Sequence, residues 1–171
     1  KWRVKARDNA GNESGFGAEW IFWVDYTPPN PVSLYSPDNQ SIIASSTLTL
    51  EWYFTTDEPA GGDSGVAWYW VQVDNDPDFS SPEVNDNTIP ATENTLTITL
   101  PDENYYWRVA AIDNVGNVSE WSENWWFRVD TLPPQGVMLD YPENNMIYSD
   151  NTPDLYWTAG EDNSLPIEYR V

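Results

Sequence analysis

The chain has 171 residues, 28 of them acidic and 7 basic, with no cysteine and no histidine. A net charge of −21 argues against nucleic acid, whose binding needs Lys and Arg to release counterions, and the missing thiols and imidazoles remove disulfides and the usual catalytic bases and nucleophiles. No stretch approaches the length and apolarity of a membrane-spanning helix, so no membrane insertion is expected of this segment, while 11 Trp, 10 Tyr and 5 Phe supply ample area for a core.

In chain order, the first phrase is KWRVKARDNAGNES, and it returns as YWRVAAIDNVGNVS from Tyr106. Trp2 falls on Trp107, an offset of 107 − 2 = 105 residues. The register continues through Trp20/Trp125, Phe22/Phe127, Val24/Val129 and Pro28/Pro133 to Leu50/Leu155 and Trp52/Trp157. Such a period suits one small domain and is too long for a solenoid unit. The predicted fold class is all-β, a tandem array of antiparallel sandwich modules. Residues 1–30 read as the last strands (F and G) and linker of one module. Residues 31–131 read as a complete seven-stranded sandwich, and 132–171 as strands A, B and the start of C of a further one.

Within the complete copy, alternating β-branched and aromatic residues between Pro, Gly, Asn and Asp clusters mark the strands. Strand A is expected near Val32–Tyr35. Strand B spans Thr47–Phe54, with Leu48, Leu50, Trp52 and Phe54 on one face. Strand C covers Val66–Val73, and a short edge strand lies near Glu83–Thr88. Strand E is Thr95–Leu100, F is Tyr105–Ile112 and G is Asn124–Val129. The repeat itself separates inside from outside. In strand G the residues identical between copies are Trp20, Phe22 and Val24, while in strand F Trp2, Val4 and Ala6 match Trp107, Val109 and Ala111 and Lys5 and Arg7 face Ala110 and Ile112. Identity with period two marks the buried face, because a one-residue slip would turn it to solvent.

The linker VDYTPPNPV and its partner VDTLPPQGV each carry two adjacent prolines. These fix φ and favour a semi-rigid connection, so the array is expected to be a stiff rod. Half a sandwich cannot bury its own core. The partial modules are therefore expected to meet neighbouring modules, of the same chain or of identical subunits, head to tail; unlike surfaces meeting in this way propagate as a filament.

At this point the sequence resembles fibronectin type III modules. Trp52 and Trp157 stand where that family keeps its strand B tryptophan. Leu100 followed by PDEN and Tyr105 is similar to its tyrosine corner, and VSEWS at Val118–Ser122 is similar to the WSxWS box of cytokine-receptor domains, with Val118 in place of the first Trp. The phrase YYWRVAAIDNVGN followed by VDTLPP resembles the fibronectin-like or immunoglobulin-like repeats of large prokaryotic surface and secreted proteins. The resemblance implies an extracellular, non-enzymatic stalk, adhesin, surface-layer or filament module, or a spacer of a secreted enzyme.

Arg108, Trp70 and Trp126 are expected on the outward face of strands F, C and G. There a guanidinium stacked between indoles forms a ladder, which is structural in the family the chain resembles. The rival reading is a platform for stacking the sugar rings of a surface polysaccharide, with Trp68, Trp70 and Trp126, and Trp23 beside them. The turns ARDNAGN and AIDNVGN carry Asp8, Asn9, Asp113 and Asn114, and Asp25 or Asp130 could join them from the linker. Asx residues with glycine are turn chemistry first. Calcium is the alternative, and without the spaced EF-hand pattern the turn reading is preferred, so no cofactor is required. The acidic loop VDNDPDF (Val73–Phe79) reads the same way. Asn12, Asn39 and Asn117 lie in N-x-S sequons; Asn12 and Asn117 belong also to the repeated turns. No two carboxylates are placed in a cleft, so no catalysis is expected.

Overall fold

The computed structural model describes residues 1–57, 64–162 and 166–171, and all its named elements are strands. Ten are found: β1 (Leu34–Ser36), β2 (Ser41–Ile43), β3 (Thr47–Trp52), β4 (Val66–Asp74), β5 (Val84–Pro90), β6 (Thr95–Thr99), β7 (Asn104–Asp113), β8 (Trp125–Val129), β9 (Met138–Tyr141) and β10 (Tyr156–Thr158). One sheet has the order β1-β3-β6 and the facing sheet the order β2-β8-β7-β4-β5. Together they make a sandwich of the fibronectin type III or immunoglobulin-like kind, antiparallel except where β2 meets β8.

Sequence alternation builds both faces. Along β3, Leu48, Leu50 and Trp52 are buried. The outward Thr47 and Thr49 meet Thr99 and Thr97 of β6 hydroxyl to hydroxyl, at 3.0 and 2.9 Å, a cross-strand pairing that adds to the ladder. Trp107, Val109 and Ala111 of β7 and Phe127 and Val129 of β8 face the same core from the other sheet. Tyr105, fully buried, donates its hydroxyl to the Pro101 carbonyl at 3.2 Å. This is the tyrosine corner expected before strand F.

Two expectations for the central sandwich need correction. The central sandwich has eight strands rather than seven, because β2 pairs in parallel with β8. Its three residues are too few to show a period, and its pairing depends on where the tertiary fold brings β8. Phe54 is 58% exposed, not inward. Strand B leaves the sheet after Trp52, and Thr55 turns to donate its backbone N–H to the Tyr69 hydroxyl and its own hydroxyl to the Asn30 carbonyl. Ala110 alternates outward, yet it is fully buried, paired with Trp70 on the face where that ring packs against Trp121.

On either side of the sandwich the repeat is visible in detail. Trp2 bridges Trp20 and Arg7 bridges Glu13, without forming longer ladders. Beyond the sandwich, β9 pairs with β10, as β1 pairs with β3. The start of strand C expected near the end of the chain is not a strand over residues 166–171, and residues 163–165 lie outside those described. Tyr169 nonetheless accepts the Gly160 backbone N–H at 2.8 Å, as Tyr69 accepts that of Thr55 at 3.1 Å. Ser36–Pro37 and Tyr141–Pro142, one period apart, are both cis.

Candidate functional site

The outward face of β4 and β7 carries a ladder with different rungs from those expected. The Arg108 guanidinium lies 4.0 Å from the Phe79 ring centroid and 4.3 Å from that of Trp121. Trp121 in turn packs on Trp70 at 4.9 Å. Arg108 Nε and Nη2 both donate to Gln72 Oε1, at 2.9 and 2.7 Å, and Trp70 Nε1 donates to Asn85 Oδ1 at 2.6 Å. Ser119 and Ser122 clip the Trp121 segment to β7: their hydroxyls accept the Ala111 and Val109 backbone N–H groups at 2.9 and 3.0 Å. The same serines donate their backbone N–H groups to the Ala111 and Val109 carbonyls, both at 2.9 Å, so the hydroxyls stand where a strand would offer its carbonyls.

Trp126 takes no part in this stack. It pairs with Tyr106 while Trp70 pairs with Ala110, four residues further along β7, or about 13 Å at strand rise. Of the three residues expected to form a sugar platform, Trp68 is exposed, Trp70 is engaged in the ladder, and Trp126 is half-buried at β8. Trp23 is exposed on the ribbon that precedes the sandwich.

The repeated turns are built alike. Asp113 Oδ1 accepts the backbone N–H groups of Val115, Gly116 and Asn117, and its Oδ2 accepts Asn117 Nδ2 at 2.7 Å. Asp8 makes the matching bonds to Ala10 and Asn12, and these bonds, those from the Asn12 side chain first, hold its carboxyl below the usual range. Gly11 and Gly116 close the two turns at φ of +94° and +99°, a conformation that a side chain would resist. Asn12 and Asn117 therefore spend their sequon amides inside the turn. Asn39 is exposed, and its Oδ1 accepts the Trp126 backbone N–H. In the acidic loop, Asp74, Asp76 and Asp78 each accept backbone N–H groups within the loop.

Of the residues considered for calcium, the fold brings Asp25 and Asp113 together and adds a third, Asp57. One carboxylate oxygen of each lies within 4.8 Å of the other two. Asp113 ends β7, Asp25 opens the linker, and Asp57 follows the end of strand B. Asn114 stays beside the group, with its Nδ2 on the Ser64 and Gly65 carbonyls. Asp8 and Asn9 remain in the exposed first turn. Asp130 sits beyond β8, 4.0 Å from Arg128 Nε. Hydrogen bonds from Thr27 and Ser64 hold the Asp25 carboxyl low. Burial, and then the neighbouring Asp25 and Asp113 charges, push the Asp57 carboxyl up against opposing bonds from the Ser64 hydroxyl and the Gly65 backbone. Asp57 was missed because it belongs to no turn motif. Its signal lay in the repeat: Asp162 stands one period further on, as far beyond Trp157 as Asp57 is beyond Trp52.

An apolar hollow of about 270 Å³ near the end of the chain is lined by Val137, Leu139, Trp157 and Tyr169, among others. The corresponding Val32, Leu34, Trp52 and Tyr69 are core residues of the sandwich. The hollow is a core face without its second sheet.

No protein-family model matches the sequence, and the search of curated proteins returns no match. Among solved structures, the chain is similar to fibronectin(III)-like modules of Clostridium thermocellum CbhA, at 15% identity over 58% of this chain and 95% of that one, with a TM-score of 0.38. It is also similar to the chicken CNTN1 FN1–FN3 domains, at 17% identity over 80% of this chain and 48% of the other, TM-score 0.43. An α-L-rhamnosidase of Streptomyces avermitilis matches at 21% identity over 57% of this chain, TM-score 0.42, and the match spans only 10% of that enzyme. The strand order and the tyrosine corner described above carry the fold.

Proposed function

We propose that this chain is a non-enzymatic structural segment of an extracellular or cell-surface protein, a tandem sandwich array that acts as a stiff spacer. The observation that carries this reading is that the linker is built into the module that follows it. Pro29 is buried. The Asn30 backbone N–H donates to the Thr56 carbonyl at 2.9 Å, and the Asn30 carbonyl accepts the Thr55 hydroxyl at 3.0 Å. Asn117 Nδ2 reaches the Thr27 carbonyl at 3.4 Å, and Asp25 Oδ2 accepts the Ser64 backbone N–H at 3.2 Å. Two prolines narrow the free linker, and these bonds fix what remains. The linker after the sandwich is held similarly: Thr131 bonds to Asp102, and the Asp130 backbone N–H donates to the Ile43 carbonyl.

Trp2, Val4, Phe22 and Val24 are exposed where Trp107, Val109, Phe127 and Val129 are buried, so the surface that complements the first ribbon is a sheet of its own kind, in the same chain or an identical one. Small-angle scattering and electron microscopy of the multi-module protein test the spacer reading. Extended rods are expected, loosened by replacing Pro28 and Pro29 together with glycine. A broad distribution of shapes already present with both prolines in place would refute it. A polysaccharide pull-down tests the aromatic-platform alternative separately, and no retention is expected.

A further inference from the structure

Three aspartates from three separate parts of the sequence converge where the linker meets the sandwich. Asp57 is 3% exposed and Asp113 is 2% exposed. Asp57 Oδ1 is enclosed and has no hydrogen-bond partner, while its Oδ2 accepts the Ser64 hydroxyl at 3.2 Å. Asp113 accepts four N–H donors and Asp25 two, whereas Asp57, buried like Asp113, keeps one carboxylate oxygen without any. Among the described residues the ion pairs are Lys1–Glu19, Lys5–Glu13 and Arg128–Asp130, none of which reaches the cluster. Like charges this close, away from water, repel strongly unless a cation or a proton intervenes.

We propose that Asp25, Asp57 and Asp113 bind a calcium ion that fastens the linker to the sandwich. The ligands are hard oxygens, and the sequence holds no Cys or His to favour a softer metal. Oxygens at about 2.3–2.6 Å from calcium stand up to about 4.6–5.2 Å apart across the ion. Carboxylates within 4.8 Å of one another can therefore close on it with little movement. Magnesium at about 2.0–2.1 Å would need a tighter triangle and would retain more of its waters. The unpartnered Asp57 oxygen supplies what the turn motif alone did not, a buried ligand atom with no other task. The repeat places Asp130 and Asp162 where Asp25 and Asp57 stand, and Asp8 where Asp113 stands, so neighbouring junctions inherit parts of the same set. The competing account is that Asp57 holds a proton, and its expectations are opposite.

The test uses the 171-residue chain, stripped with chelator and titrated with calcium chloride across roughly 0.1–10 mM, the range of extracellular modules, by calorimetry and thermal melting. Saturable binding and a melting temperature that rises with calcium are expected, with a smaller response to magnesium chloride. Asp57→Asn and Asp25→Asn should each lose affinity by about tenfold or more, whereas Glu103→Gln, an exposed carboxylate elsewhere, should not. Asp25 lies on the linker, half-buried, so Asp25→Asn decides the question if Asp57→Asn fails to fold. No binding across the range overturns the proposal, as does a response that both Asn variants keep. A metal-free Asp57→Asn chain melting higher than a calcium-insensitive parent would assign the proton instead. Calorimetry reads binding alone, so the site stands or falls separately from the spacer reading.

Discussion

Residues 1–25 and 106–130 use nearly the same words and meet different fates. In both, the turn aspartate gathers the same donors, and the following serine accepts the backbone N–H of an alanine eight residues earlier, at 2.9 Å from Ser14 to Ala6 and 2.9 Å from Ser119 to Ala111. In both, an arginine stacks on the aromatic of the same turn, Arg3 on Phe16 at 3.9 Å and Arg108 on Trp121 at 4.3 Å. Yet Trp2 is 50% exposed and Trp107 is 0% exposed; Phe22 is exposed and Phe127 buried. The local hydrogen bonds follow from the sequence word. The burial follows from a second sheet, which β3 provides to one copy and nothing among the described residues provides to the other. Most of the stabilisation should therefore reside in only one of two near-identical segments.

The sharpest way to break this comparison is to truncate the matched tryptophans. Trp107→Ala should cost about 3–5 kcal/mol in chemical denaturation, because a fully packed indole leaves a cavity. Trp2→Ala should stay within about 0.5 kcal/mol, as exposed sites do. Equal losses would mean that the first ribbon is covered in solution. Trp52→Ala belongs with Trp107→Ala, while Trp70→Ala on the ladder face should cost much less.

Next in size are the stacked arginines. Arg108→Ala removes two ring contacts and the paired bond to Gln72, together worth about 2 kcal/mol. Arg3→Ala removes a single exposed contact and should cost about 0.5 kcal/mol. The serines sharpen the point further. Ser119→Ala orphans the Ala111 N–H inside the sandwich and should cost about 1–2 kcal/mol. Ser14→Ala leaves its N–H to water and should be nearly neutral. A cost as large for Ser14→Ala would show that the first turn is folded as tightly as the second.

The smallest expected effect concerns the tyrosine corner. Tyr105→Phe should cost about 1 kcal/mol at neutral pH, by losing the bond to Pro101. Burial pushes the Tyr69 and Tyr105 phenols above their ordinary value of 10.0. In the unfolded chain they ionise first, so above pH 10.0 the unfolded state binds fewer protons and stability falls as pH rises toward the folded values. Alkaline denaturation monitored at the tyrosinate band should show this loss, reduced in Tyr105→Phe; an unchanged alkaline limb would remove the corner from the account.

The sequence by itself determined the repeat, the strands and the buried face, because a period of two and the identity of alternate residues are local and count twice in a repeated chain. It determined the turns as well, since Asp113, Asn117 and Gly116 need only one another. Only the tertiary structure decided the rest. It gave β2 its partner across the chain, turned Phe54 outward by ending strand B at the linker, and chose Phe79 and Trp121 rather than Trp126 to flank Arg108. It also brought Asp57 to Asp25 and Asp113. These outcomes depend on residues far apart in the chain meeting at loop ends, where no short-range period constrains the backbone and only the packing of two sheets fixes which side chains touch.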